Sequence, residues 1–225
     1  MMKKQFSAIF SVMCTLMAVC LIASNIFTTK VFSISGIILT GDLLIFPVSY
    51  IINDCISEVY GYGKARFAIW LSFCTNLLFV LFAQLVVALP GADFWEGGEH
   101  FNYIFKMEIW VAIASLLAFL VGSTVNAAVM SRMKVVDKGN RFWLRAVTSS
   151  IAGDLCDSLV FMPIVFWSVG LGRLCLMIVC QVLVKVLYEV VLLPVTQKVV
   201  ERIKKIDATD VYDDGISYNP FRFDF

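Results

Sequence analysis

Hydrophobic positions in this chain run in long unbroken blocks. Between Lys4 and Lys30 lie 25 residues without a charge, between Arg66 and Asp93 lie 26, and between Glu108 and Arg132 lie 23. A helix crossing a bilayer needs about 20 apolar residues, so each block predicts a membrane helix. None shows the alternation of a transmembrane strand. The first block follows Lys3 and Lys4, as a signal peptide would. It exceeds the ~7–15 apolar residues of such a signal and no A-x-A site follows, so it is read as a retained helix. Three further apolar segments, interrupted by charge, cover about residues 43–60, 146–168 and 174–196. The pattern predicts an all-α integral membrane protein with six transmembrane helices over residues 1–197. A polar tail over 198–225 is expected to be disordered.

Composition agrees. The chain has 225 residues, is 60% hydrophobic and 16% charged, and carries a formal net charge of +1. Soluble domains are about 45–50% apolar and about 25% charged. A soluble, disordered or nucleic-acid-binding protein is thereby excluded, and the lipid bilayer is the first partner. Fourteen Lys and Arg fall before the first span, between the second and third, between the fourth and fifth, and after the sixth; three fall on the other side. This asymmetry places both termini in the cytoplasm. On the outer side, residues 31–40 read as either a short β-hairpin around Ser35-Gly36 or a plain connector. Residues 90–106 read as an interfacial loop rich in aromatics. The seven cysteines sit in apolar segments without a C-x-x-C, and His100 is the one histidine. They read as small hydrophobes, with no metal site expected.

The charges inside the spans are confined to three of them. The second span carries Asp54 and Glu58, the fifth Asp154 and Asp157, and the sixth Lys185 and Glu189. A charge at the centre of a membrane helix costs roughly 2.5–3.5 kcal/mol on insertion scales, so such residues are expected to share an interior. Successive residues turn by roughly 100°. Pro47, Tyr50, Asp54 and Glu58 therefore fall within about 80° of one another. Ser150, Asp154, Asp157 and Phe161 fall within about 60°, and Gln181, Lys185, Tyr188 and Glu189 within about 100°. Ionisable and aromatic side chains on converging faces suit a polar pocket with stacking walls. Five carboxylates face one lysine, an excess that a self-satisfied ion-pair network does not absorb. Glu58 and Glu189 lie near helix ends, where snorkelling is an alternative; Asp54, Asp157 and Lys185 lie deeper.

Catalytic signatures are missing. There is no H-E-x-x-H, no G-x-S-x-G and no P-loop. The chain reads as no enzyme, without a cofactor and without its own ATP hydrolysis.

The charged segments carry a resemblance. F-P-V-S-Y-I-I-N-D-C-I-S-E-V-Y-G at 46–61 with Ala65-Arg66, Ser24-Asn25 with Lys30, S-S-I-A-G-D-L-C-D-S-L-V-F at 149–161, and Lys185 together resemble the queuosine precursor transporter family. The resemblance spans roughly residues 7–197. It implies a multi-pass protein of the bacterial cytoplasmic (inner) membrane that imports 7-deazaguanine precursors of queuosine: the 7-cyano or 7-aminomethyl base, or queuine. It also implies a six-helix layout like that of the substrate-binding subunits of energy-coupling-factor importers. The alternative is such a substrate-binding subunit itself, driven by a separate ATPase; a homo-oligomer is compatible with either. Carried over by motif, the functional set is Asn25, Asp54, Glu58, Arg66, Asp157 and Lys185. Members tend to have an amide three residues before the aspartate of the fifth span; here that position is Asp154, an added acid that suits an aminomethyl cation. A carboxylate of Asp54 or Asp157 matches the N1–H and amine edge of a deazaguanine. Phe46, Tyr50, Phe161 and Trp167 are candidate stacking partners. Lys185 or Asn25 is the candidate donor to the ring carbonyl. Arg66, at the mouth, reads as an anchor of the turn between the second and third spans.

Overall fold

The computed structural model describes residues 7–34, 37–106 and 109–222. Helix α1 (Ala8–Phe27) starts where the Ser7 hydroxyl accepts the Phe10 N–H at 3.0 Å. This fills one of the orphan donors of a helix start. Strands β1 (Val31–Ile34) and β2 (Ile37–Thr40) follow as an antiparallel pair, with Val31 opposite Thr40 and Ile34 opposite Ile37. The hairpin alternative for this segment therefore holds, although Ser35-Gly36 at its tip lies outside the described residues. A 3-10 turn at Gly41–Leu44 leads into α2 (Phe46–Val87). Then come α3 (Gly98–Phe105), which lies in the aromatic loop, α4 (Ile109–Val136), α5 (Phe142–Val165) and α6 (Leu171–Asp207). Five helices, α1, α2, α4, α5 and α6, are long and apolar enough to cross a membrane.

Helix α2 has 42 residues, about 63 Å if straight, which is twice a bilayer core of about 30 Å. It is not straight. Gly61 has φ 83° and ψ 172°, a conformation open to glycine and costly for other residues. The contacts show what happens there. Phe10, near the start of α1, packs on Tyr60 at 5.2 Å and on Phe67 at 6.2 Å between ring centroids. At the other end of α1, Asn25 donates to Asn76 at 3.0 Å, and Gly41 N–H reaches the Lys30 carbonyl at 2.9 Å. The first arm of α2 (46–60) thus runs against α1 and the second arm (62–87) runs with it. The chain reverses at Gly61.

Helices α4 and α5 meet at an intimate seam. A Cβ added at Gly122 would lie 2.8 Å from Asp157 Cβ and 2.9 Å from the Gly153 carbonyl, and one at Gly153 would lie 2.8 Å from Asn126 Cβ. Two facing glycines let the backbones touch, the usual device for close packing without a hydrophobic drive between membrane helices.

The tail departs from expectation. Residues 198–207 continue α6, and residues 208–222 lie along the reversal instead of trailing free. Asp213 accepts the Tyr62 N–H at 2.7 Å and the Ser131 hydroxyl, while Val211 N–H donates to the Val59 carbonyl at 3.1 Å. Arg66 donates to the Asn219 carbonyl at 2.9 Å, and Trp70 to the Pro220 carbonyl at 2.8 Å. The physical reason is the break itself. Backbone groups beside Gly61 lack helical partners, and buried backbone donors and acceptors must find some.

Candidate functional site

The first arm of α2, α5 and α6 converge on a buried charged cluster. Lys185 of α6 is only 2% exposed. Its Nζ donates to Asp157 Oδ2 at 2.8 Å and lies 3.4 Å from Asp154 Oδ1, both on α5. The same ammonium sits 4.2 Å from the centroid of the Phe46 ring, and Phe46 packs on Tyr50 at 5.4 Å. A buried cation over an aromatic face is favourable electrostatically as well as by packing. Phe46 and Tyr50 share a face of the α2 arm, one turn apart, with Asp54 one turn further on. Asp54 Oδ1 accepts the Ser149 hydroxyl at 3.3 Å. Behind it, Asn53 donates to the Ser123 carbonyl at 3.0 Å and to Asn126 Oδ1 at 2.8 Å, tying α2 to α4.

The cluster is incompletely satisfied. Asp154 Oδ2 is buried with no hydrogen-bond partner among the described residues, and Tyr50 and Glu189 lack one of good geometry, with only Ser123 and Ser150 respectively as weak partners. Buried polar groups are paired in the great majority of cases, so this concentration makes the cluster the candidate site. A cavity of about 10 Å³, lined by Asp54, Ser150, Glu189 and Thr196 with Ile51 and Val186 among its apolar walls, lies there. That is room for about one water. A heterocycle enters only when side chains or helices move apart.

The structure divides the residues singled out in the sequence. Phe46, Tyr50, Asp54, Asp154, Asp157 and Lys185 come together. Phe161 is half-buried on α5, one turn past Asp157. Glu58 does not join them. Arg145 holds its carboxylate with two bonds, Nε to Oε2 at 2.9 Å and Nη2 to Oε1 at 2.8 Å. Lys204 reaches Oε1 at 2.6 Å, and Lys134 donates to the Glu58 carbonyl and to Asp210. Glu58 is thus the centre of a separate ion network at the end of the bundle where the tail lies. Asn25 is elsewhere too: it bonds Asn76 and, at 2.9 Å, Ser115, binding α1 to α2 and α4 near the opposite end. Arg66 holds the tail, in keeping with an anchor at the turn. Glu189, read as a residue near a helix end, is 7% exposed and lines the cavity. Of the buried acids, Asp154 and Asp157 pair with Lys185 while Asp54 and Glu189 line the neighbouring cavity, still an excess of acid.

The family profile described as "Putative vitamin uptake transporter" matches residues 40–199, which hold every member of the cluster. The chain is 27% identical over 146 residues to a Bacillus subtilis protein named "Probable queuosine precursor transporter", 64% of each chain. It is 26% identical over 148 residues to the "Queuosine precursor transporter" of Escherichia coli, 64% of this chain and 63% of that one. The chain thus covers less than two thirds of the length of these relatives. No solved structure matches the chain. With five helices able to cross a membrane and the profile covering most of its length, this multi-pass bacterial inner-membrane protein belongs to the vitamin uptake transporter family, a family of transporters and not of enzymes.

Proposed function

We propose that the protein imports 7-deazaguanine precursors of queuosine. The observation that carries this reading is the Lys185–Asp157 pair, buried at 2.8 Å beside Phe46 and Tyr50. The edge of a deazaguanine presents, in order, a carbonyl acceptor, an N–H donor and an amine donor. An ammonium beside a carboxylate presents the complementary order, one donor and two acceptors. The paired charges become a recognition surface when a base lies against them, with its ring on Phe46 or Tyr50. Asp54, one turn deeper on α2 and facing Ser149, is placed to meet the other end of the ring.

In this reading the two arms of α2 are separate crossings. The first arm with its preceding 3-10 turn covers Gly41 to Tyr60, and the chain re-enters after Gly61. Together with α1, α4, α5 and α6 this makes six. The end bearing Lys134, Arg145, Lys204 and the tail faces the cytoplasm by the excess of basic residues.

The test is complementation. A bacterium unable to make the precursor and lacking its own importer is given this gene and low external precursor, and its tRNA is scored for queuosine. Wild type restores the modification. Asp157→Asn places a donor opposite donors, and Lys185→Met removes the partner of the carbonyl. Each lowers uptake at least about tenfold, since ~1.4 kcal/mol is tenfold in affinity and an unmatched buried polar group costs about 1–3 kcal/mol. Normal rescue by both variants, at equal membrane abundance, defeats the recognition scheme. Silence of wild type defeats the substrate. Activity only beside a copurifying ATPase transfers the protein to the substrate-binding-subunit class.

A further inference from the structure

We propose that the cavity between Asp54, Ser150, Glu189 and Thr196 is a subsite for a primary ammonium group carried by the substrate. This rests on the importer reading, which supplies a molecule for the cavity to hold in part. Three observations point to an ammonium.

The first is the balance of donors and acceptors. Ser150 Oγ and both Glu189 oxygens are buried without a hydrogen bond of good geometry, Ser150 being within weak reach of Glu189. Thr196 gives its proton to the Leu192 carbonyl at 3.2 Å, which leaves its lone pairs free to accept. Asp54 Oδ1 accepts a hydrogen bond from the Ser149 hydroxyl at 3.3 Å. Ser150 has one hydroxyl proton to give, with Glu189 within reach to take it; the remaining oxygens at the cavity accept, and none of the lining residues is Lys, Arg or His. The nearby cation, Lys185, is committed to Asp157 and Asp154. An ammonium offers three donors and no acceptor, and it supplies the opposite charge that buried carboxylates require.

The second is size. A cavity of about 10 Å³ admits one water-sized group, and a –NH₃⁺ head is about that size. Its walls include Ile51 and Val186, which give a hydrated ion no surface to keep its water shell.

The third is position. Glu189 lies four residues beyond Lys185 on α6, about 6 Å along the axis at ~1.5 Å per residue. That is the scale of a bicyclic ring. A base held by its edge at Lys185–Asp157 would direct a substituent from its far side toward Glu189. The cavity therefore reads that substituent, and a cationic aminomethyl group fits it where a linear, neutral nitrile, an acceptor only, does not.

Two measurements on the full chain decide this. Thermal unfolding of the purified protein is followed in methylammonium, tetramethylammonium and sodium chloride at matched ionic strength. Binding to the native state raises the midpoint, so methylammonium is expected to exceed both other salts in wild type and to lose that lead in Glu189→Gln. Equal midpoints in all three salts overturn the proposal and leave the cavity with a water. Sodium as effective as methylammonium overturns it in favour of an inorganic ion. Should Glu189→Gln fail to fold, the wild-type comparison stands alone. The second measurement is uptake into proteoliposomes of the 7-aminomethyl and 7-cyano bases. Wild type is expected to favour the amine, and Glu189→Gln to reduce the amine-to-nitrile ratio at least about tenfold. An unchanged ratio overturns the subsite while the importer reading survives. Uptake of neither base by wild type defeats the importer reading instead, and the salt comparison still decides whether the cavity holds an ammonium.

Discussion

Glu58 is 0% exposed and Arg145 is 1% exposed. In such a setting the geometry of the pair decides its sign. A buried ion pair with good bidentate bonds roughly balances its own desolvation, but removing one partner leaves a charge with nothing to answer it and costs about 3–5 kcal/mol. Arg145→Met should fall at the lower end of that range, because Lys204 at 2.6 Å still reaches the carboxylate. Glu58→Gln/Arg145→Met should recover part of the loss, since the Glu58 charge is gone, while Asp137, which Arg145 also holds at 3.0 Å, stays without it. Melting in detergent measures both, and strictly additive losses in the double variant would show that the two side chains do not act as a pair. The acids themselves were legible in the sequence, because a charge inside an apolar block stands out. Their partners were not. Arg145 lies 87 positions from Glu58 and counts, by hydropathy, among the cations between two spans. Lys134 and Lys204 look the same. Only folding divides the five acids into one paired with arginine and lysines and four around Lys185.

Elements bring those side chains together, and the seam between α4 and α5 controls how closely. A Cβ at Gly153 would meet Asn126 Cβ at 2.8 Å and the Tyr50 ring at 2.9 Å. Gly153→Ala therefore forces α5 away from α4 and α2, with an overpacking cost of about 1–3 kcal/mol. Uptake should fall with it, because Asp154 and Asp157 ride on the displaced helix. Gly63→Ala is the matched control: nothing lies within 4 Å of the added methyl, and a helical glycine replaced by alanine gains up to about 1 kcal/mol. Equal melting points for the two variants would contradict the seam. Hydropathy showed where the chain is apolar enough to span, and the β-branched residues on either side of Ser35-Gly36 left a hairpin and a plain connector open. The sequence also put a turn between the second span and the third, with Arg66 as its anchor; what it did not show is that the chain turns at one residue, Gly61, in a G-Y-G run inside an otherwise continuous helical stretch. That glycine takes its conformation because of what packs on it.

What packs on it is the tail, and this joins the two ends of the chain into one unit. Asp213 supplies an acceptor to the first N–H after the break, Val211 a donor to the last carbonyl region before it, and Tyr218 a ring against Tyr62 at 5.0 Å. The tail's polarity suggested disorder because its partners are backbone groups, which no residue pattern displays. Asp210 adds an ionic tie. Its partial burial works against ionisation, yet hydrogen bonds from Lys134 and Lys204 hold its carboxyl below the usual value. A depressed carboxylate contributes fully above the ordinary pKa of about 3.9 and is lost as pH falls through the lower folded value. The tie is thus intact at neutral pH and loosens only in acid. Ending the chain after Ala208 removes all these partners at once and leaves the Tyr62 N–H and the Val59 carbonyl without them. The reversal should then open locally before the bundle as a whole does, since the helices keep their lateral contacts. Amide hydrogen exchange distinguishes the outcomes. In the truncated protein, exchange at residues 59–66 should quicken by at least about tenfold, the equivalent of one lost hydrogen bond of ~1.4 kcal/mol, while α4 and α5 at the Gly122–Gly153 seam keep their protection. Unchanged exchange at Tyr62 would mean that the reversal holds itself and that the tail merely rests on it.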